Sequence, residues 1–422
     1  MQSARLTSKL KEKKIYLWGG RQLGLSLAGS LRRLGCEPEG FLDSSPDLQG
    51  TELAGLSVAA PATVLNQSGE RGFIIICSAV FAHEIAGECR RAGLVEGEDF
   101  IEATNLQQCS YYIDVSGSCN LRCLSCPRGN WPKQPPAGFM KPELLDQILD
   151  KINREDPFTG IINLYSWGEP LLHPQLPEII RLVNRHGFQA AISSNLSLQA
   201  DLSEIVRARP TYFRISASGY ERNYEFTHKG GRWPVLLSNL RRLKELREDI
   251  HPGLQVEMNY HIYKDRQDDY AKMKELCAEL GFIFRAGHGL VSPLDHASRL
   301  VKGLPPLNEA ARQSMELQAL PVDEGLKRLK AQAGLPCTFE TVMEICWDGR
   351  VRTCQIWFDP GLPLLADNFL EVPLADLLNR RKSSQLCAAC KNQNLHRWCG
   401  VYCDESLTEP RRKAACAEGP AE

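Results

Sequence analysis

The sequence predicts an α/β protein in three segments, residues 1–107, 108–310 and 311–422. Three observations carry that expectation. Short β-branched and aromatic runs alternate with helix-period stretches from residue 13 to about residue 300, and strand-then-helix repetition implies parallel sheets. A length of 422 residues exceeds what one core usually organises. Eight of the sixteen cysteines follow residue 336, so the last segment has a composition of its own.

In the first segment, Lys13–Trp18 reads as a strand, residues 22–35 as a helix through Leu23, Leu25, Leu27, Leu31 and Leu34, and 38–43 as a second strand. Phe73–Cys77 is wholly apolar and reads as a central strand. The first turn is Gly19-Gly-Arg-Gln-Leu-Gly24, with Asp43 ending the next strand. This resembles a Rossmann dinucleotide fingerprint in which Arg21 replaces the middle glycine, the one that lets backbone approach a pyrophosphate. Arg21 could instead grip a phosphate itself. The stretch Gly40-Phe-Leu-Asp-Ser-Ser-Pro46, with Gly50 and Gly55-Leu-Ser-Val58, resembles the N-terminal domains of some bacterial nucleotide-sugar acyltransferases. A docking domain without a ligand is the alternative.

The second segment offers six strands, 111–116, 161–166, 189–193, 212–217, 254–263 and 282–287, with helices between most of them. The clearest helix is 142–153, where Pro142 suits the first turn and Leu144, Leu145, Ile148, Leu149 and Ile152 share a face. Chemistry in such folds gathers at the C-terminal ends of the strands. Residues 301–336 read as a helical connector.

Composition narrows the function. Net charge is −1, with 50 basic and 51 acidic residues, which gives no sign of nucleic-acid or membrane-surface binding. No apolar run approaches the roughly 18 residues of a membrane span, and the N-terminus lacks the apolar core of a secretion signal. A cytoplasmic protein is expected. Disulfides are rare there, so clustered cysteines point to metal or cluster ligation. Cys36, Cys77, Cys89, Cys109 and Cys277 are scattered and read as buried packing.

After the first strand comes Ser118-Cys-Asn-Leu-Arg-Cys-Leu-Ser-Cys-Pro127, a C-x3-C-x2-C run. Cys119, Cys123 and Cys126 supply three thiolates where a cubane iron–sulfur cluster usually takes four. The run resembles the signature of the radical S-adenosylmethionine (radical SAM) enzymes. In that family SAM chelates the open iron, and a flavodoxin- or ferredoxin-type donor supplies the electron. Trp167-Gly-Glu-Pro170 resembles the family's Gly-Gly-Glu-Pro element, with Trp167 in place of the first glycine. Ser193-Ser-Asn195 and Ser216-Ala-Ser218 end the next two strands. The resemblance implies a partial (β/α)6 TIM-type barrel, with Gly168, Glu169, Pro170, Ser193, Asn195 and Ser216 holding SAM. The family often places an aromatic residue before the third cysteine, near the adenine; here it is Ser125.

The C-terminal array is Cys337, Cys346, Gly349, Cys354, then Cys387-x2-Cys390-x8-Cys399-x3-Cys403 and Cys416. It resembles the SPASM domain, which holds two auxiliary 4Fe–4S clusters and would bring the total to three. By that resemblance Cys337, Cys346, Cys354 and Cys403 bind the inner cluster, and Cys387, Cys390, Cys399 and Cys416 the outer. Two zinc knuckles in a non-catalytic binding protein are the alternative. Where the sulfatase-maturating relatives carry a basic Asp, this chain has Gln355, and an amide cannot take a proton as a carboxylate does. A Rossmann-like segment where peptide-modifying members often carry a winged-helix domain favours a sugar or nucleotide-linked small molecule, epimerised or dehydrogenated. A ribosomal-peptide maturase is the runner-up.

Overall fold

The computed structural model describes residues 9–402 apart from 21, 68–71, 79–80, 107, 333 and 338. Arg21, Cys403 and Cys416 therefore lie outside the described residues. Contacts divide the chain into two compact units: Met1–Tyr112 with Lys141–Asn163 and Glu178–Ala190, and Ile113–Met140 with Leu164–Pro177 and Ala191–Glu422.

The first unit holds β1 (Ile15–Trp18), α1 (Gln22–Arg33), β2 (Gly40–Leu42), β3 (Glu52–Leu53), β4 (Leu56–Ala59), β5 (Phe73–Ile76), α2 (Ala82–Arg91) and β6 (Phe100–Glu102). Their sheet runs β3-β4-β2-β1-β5-β6, parallel except for the β3–β4 hairpin. Phe73 through Ile76 are buried on both faces, as a central strand requires. Two glycines of the first turn have steric reasons. A Cβ on Gly24 would lie 1.9 Å from the Gly19 carbonyl oxygen, and Gly19 has φ +122°. Asp43 is used internally: its Oδ2 accepts the Gly20 N–H and its Oδ1 the Ser45 N–H, both at 2.9 Å.

This unit also takes in α3 (Pro142–Glu155) and β8 (Ile161–Asn163), the latter parallel to β7 (Ser110–Ile113) through Tyr111 and Tyr112. On α3, Leu145, Ile148, Leu149 and Ile152 are buried as the period predicts. Two side chains knit the segments together. Arg33 donates to the carbonyls of Pro157 and Gly187 at 2.9 Å, far from its own helix in sequence. Asp156 accepts the N–H groups of Gln108 (3.0 Å) and Cys109 (2.9 Å) and the Tyr111 hydroxyl (3.3 Å). Asp156→Ala strands those donors and should destabilise the fold by about 3 kcal/mol, read by denaturant unfolding. Burial raises the Asp156 carboxyl above its ordinary value. The folded chain then binds this proton more tightly than the unfolded chain. This carboxyl's contribution to stability therefore falls as pH rises from about 4 through its folded value, and the variant should lose that slope.

The second unit carries the remaining parallel strands: β9 (Gln189–Ser194) through its Ala191–Ser194 end, β10 (Tyr212–Ser216), β11 (Gln255–Ile262) and β12 (Ile283–His288). All six strands expected in the second segment are present. The first two stop short of the expected ends, at Ile113 and Asn163. The Asp114 N–H goes to the Ile345 carbonyl, and the Gly168 N–H to the Asp114 carboxylate. The connector is helical, and the C-terminal strands β13 (Val342–Ile345), β14 (Val351–Arg352) and β15 (Leu364–Ala366) are antiparallel. Val291, Leu294, Trp357, Leu395 and Trp398 form part of a core beside them. Among the described residues no helix is long and apolar enough to cross a membrane.

Candidate active site

The three predicted motifs meet in the second unit. The Glu169 N–H donates to the Ser118 carbonyl at 2.7 Å, joining the Trp167–Pro170 turn to the cysteine loop. Gly168 passes so close to that loop that a Cβ would lie 1.5 Å from the Ser116 carbonyl oxygen. Glu169 is 2% exposed. Its Oε1 accepts the Leu171 N–H at 3.0 Å and its Oε2 the Asn195 N–H at 2.8 Å. The Asn195 amide reaches back to Asn120 Oδ1 at 2.9 Å and to Cys119 Sγ at 3.8 Å. Burial pushes the Glu169 carboxyl up to about 7 against these donors. The Ser194 and Asn195 side chains also bond to this carboxylate.

The remaining predicted positions differ in their engagement. Pro170 is buried and opens the turn Pro170–Leu172. Ser193 Oγ accepts from Arg214 Nε at 3.0 Å, and Ser216 ends β10 half-buried. Ser194, between two predicted contacts, is the serine that bonds to Glu169. The Ser125 position is met by an aromatic ring from a distance. Tyr263, just past β11, donates its hydroxyl to Ser125 Oγ at 2.9 Å. Gly289 makes room for the ring, since a Cβ there would lie 2.6 Å from Tyr263 Cε1. The two residues are 138 apart in sequence, beyond any local pattern.

The three thiols of the loop share one small space. Burial, then Cys126 and Cys119, push the Cys123 thiol well above its ordinary value; burial and Glu169 push Cys119 up to about 12. Thiols so placed resist ionising unless a cation replaces the proton, which iron does. Among the described residues no three His, Cys, Asp or Glu side chains form a group that could hold a metal ion. A cubane sets a different requirement, each thiolate binding its own iron. The donor set and its shared space fit such a cluster.

Six of the eight C-terminal thiols lie among the described residues. Cys354 interacts electrostatically with Cys390, Cys337 and Cys387, and Cys390 with Cys337 and Cys387. These four thiols, drawn from both expected sets, are near enough to act on one another, while Cys403 and Cys416, one from each set, lie outside the described residues. The reason is chain geometry. The helix Gln385–Asn392 carries Cys387 and Cys390 on adjoining turns, and Cys390 and Cys354 join the same core. The charged neighbours of Cys346 are, largest first, Glu344, Arg352, Asp114 and Asp348, and it shares a cavity wall with Cys354. Cys399 is half-buried. Replacing Cys387 and Cys390 together by alanine should remove about four irons per chain in one step. Under the two-set partition the same pair belongs to the outer set alone, so its loss should leave Cys337 and Cys354 ligated. Loss of ligation at Cys354, read by its alkylation in the variant, separates the two.

A charged group beside the cysteine loop was missed by sequence reasoning. Ser166 Oγ donates to Glu344 Oε1 at 2.6 Å, and Glu344 Oε2 lies 3.3 Å from Arg352 Nε. Arg128 Nε donates to the Trp167 carbonyl at 3.2 Å, and the Trp167 indole N–H to the Gln355 carbonyl at 2.8 Å. Trp167, where the family has glycine, thus ties the turn to the residue after Cys354. Burial lifts Asp114 to about 6 and Glu344 to about 7. The only sequence signal was an acid in each of two apolar strand runs.

Residues 113–273 match the sequence profile of the Radical SAM superfamily. A curated relative, the tungsten-containing aldehyde ferredoxin oxidoreductase cofactor-modifying protein of Pyrococcus furiosus, is 33% identical over 90 residues, 21% of this chain. The match spans 24% of that relative's length. The AdoMet-dependent heme synthase of Methanosarcina barkeri is 25% identical over 63% of this chain and 80% of its own. Among solved structures, Streptococcus suis SuiB bound to S-adenosylmethionine is similar at 13% identity and TM-score 0.46, over 74% of this chain and 71% of that one.

Proposed function

We propose that the chain is a SAM-cleaving enzyme that removes a hydrogen atom from a C–H bond of a sugar or nucleotide-linked small molecule, leading to epimerisation or dehydrogenation. A bound 4Fe–4S cluster and SAM supply a 5′-deoxyadenosyl radical in such enzymes. The convergence of Cys119, Glu169 and Asn195 carries the reading. In it Cys119, Cys123 and Cys126 hold the cluster. Gly168, Glu169 and Pro170 shape the turn that receives the SAM amino group, and Ser193, Asn195 and Ser216 line its ribose and carboxylate. Glu169 acts as acceptor and as the clamp between two loops. Cys337, Cys354, Cys387 and Cys390 hold an auxiliary cluster.

Two observations favour a small molecule over a peptide. Both curated relatives carry names that refer to cofactors, a heme synthase and a cofactor-modifying protein. The parallel strands of the N-terminal sheet, numbered among themselves, lie in the order 3-2-1-4-5, which leaves a switch point beside Gly19. The engaged Asp43 has less capacity for a ribose hydroxyl than expected, so a nucleotide there depends on backbone. Anaerobic turnover with SAM against a sugar panel and a peptide panel tests the reading. Substrate-coupled 5′-deoxyadenosine with the sugar panel is expected. Coupling only to peptides would replace the substrate class, and no cleavage of SAM at all would end the enzyme reading.

A further inference from the structure

We propose that the exposed face of the helix Gln385–Asn392, with the basic residues around it, is the docking surface for an acidic one-electron carrier protein, a flavodoxin or ferredoxin. The inference rests on the auxiliary cluster assigned above to Cys337, Cys354, Cys387 and Cys390, and adds the place where electrons reach it.

Charge is the first observation. The whole chain carries a net charge of −1, with acids and bases in near balance. From Leu377 to Tyr402 that balance fails: the stretch holds Arg380, Arg381, Lys382, Lys391 and Arg397 and no Asp or Glu. The bonds its arginines make do not neutralise them. Arg380 donates to the Leu365 carbonyl at 2.8 Å, and Arg381 to the Thr353 and Glu340 carbonyls at 3.2 and 2.9 Å. Arg397 donates to Gln332 Oε1 at 3.3 Å and to the Pro336 carbonyl at 3.2 Å. All these acceptors are neutral. Lys382 and Lys391 are exposed and form no ion pair among the described residues. Both close a helix, where the helix dipole favours cations. That accounts for a basic residue at each end but not for the lack of any acid between them.

Reach is the second observation. Gln385, Ala388, Ala389 and Asn392 are the exposed residues of one side of the helix, at i, i+3, i+4 and i+7. The two alanines place no long side chain over Cys387, which is half-buried. Lys391 acts electrostatically on Cys337 and Cys390, so its ammonium stands close to the same thiols. Glu340 acts on Cys337 in the opposite sense. A partner whose carboxylates pair with Lys382 and Lys391 therefore rests its surface over the thiol group. A helix of 8 residues is about 12 Å long, a span that a small protein covers.

A basic, polar face suits a partner that must leave after each electron. Long-range attraction speeds encounter, and a small contact without an apolar centre releases quickly. One electron passes from the carrier to the auxiliary cluster. The carrier is oxidised by one electron and the cluster reduced by one, with no bond made or broken.

The test uses the loaded full chain, SAM and a bacterial flavodoxin as the probe. In Lys382→Glu with Lys391→Glu, the flavodoxin concentration giving half-maximal 5′-deoxyadenosine formation should rise about tenfold or more. Dithionite, which needs no docking surface, should drive this variant as well as wild type. Lys272→Glu with Lys274→Glu, exposed on the helix Gln267–Leu280, changes the net charge equally and should shift that concentration by less than about twofold. No rise in the first pair, or an equal rise in both, overturns the proposal. Since Lys391 stands beside the thiols, Lys382→Gln with Lys391→Gln repeats the test by removing charge without reversing it. Its iron per chain should equal that of wild type; loss of iron would make the lysines supports of the thiol group and overturn the docking role. Titration with fluorescently labelled flavodoxin reads docking without turnover, and salt should weaken it in wild type far more than in the charge-reversed pair. If wild type cleaves no SAM even with dithionite, the proposed function fails, while the titration still decides the surface.

Discussion

Replacing Cys119, Cys123 and Cys126 together by alanine should remove about four irons per chain and reduce 5′-deoxyadenosine formation to background. One cubane carries four irons, and these three thiols are the only cysteines in the radical SAM segment that sit on its motif loop. The remaining iron should stay bound, since the four-cysteine group depends on Cys337, Cys354, Cys387 and Cys390. The fold should persist as well. The loop is held by backbone: Arg122 N–H to the Lys229 carbonyl at 2.8 Å, and Leu124 N–H to the Thr227 carbonyl at 3.0 Å. Anaerobic iron and sulfide analysis with product quantification reads both effects. Retention of full iron with SAM cleavage intact would remove the loop from the active site, and zinc in place of iron would restore the knuckle alternative.

Glu169→Ala should weaken SAM binding by more than tenfold and cost about 3 kcal/mol of stability, while iron content stays near that of wild type. The stability loss follows from geometry. Two backbone N–H groups, of Leu171 and Asn195, lose a buried acceptor, and each unpaired buried donor costs about 1–3 kcal/mol. The binding loss follows because the Asn195 turn and the Trp167–Pro170 turn lose their common clamp. The iron should remain because Glu169 touches the thiol loop through its backbone N–H, which alanine keeps. Equilibrium dialysis of SAM, denaturant unfolding and iron analysis measure the three quantities. Loss of iron along with SAM would make Glu169 a structural support of the whole loop instead.

Local pattern made the catalytic segment legible. The spacing of three cysteines behind an apolar strand, the Gly168-Glu169-Pro170 turn and the polar tip at Ser193–Asn195 are short-range features, and strand–helix alternation brings such tips to one end of parallel strands. The helix at 142–155 was readable for the same reason, through its 3.6-residue period. Gly168 was readable as a motif residue, though its necessity shows only when the Ser116 carbonyl is found against it.

Sequence by itself determined the alternation that builds the sheets, the three-thiol loop and the motifs that flank it. Tertiary structure alone decided which distant side chains share a space. It turned Asp43 inward onto Gly20 and Ser45, and brought Tyr263 to Ser125 across 138 residues. It brought Cys337, Cys387 and Cys390 near enough to Cys354 to act on it electrostatically, and set Glu344 beside Cys346. The physical reason is range. Periodicity and turn chemistry act over a few residues, where backbone geometry fixes the spacing. Thiol grouping and buried-carboxylate partners instead depend on how helices and strands pack, which no short spacing encodes.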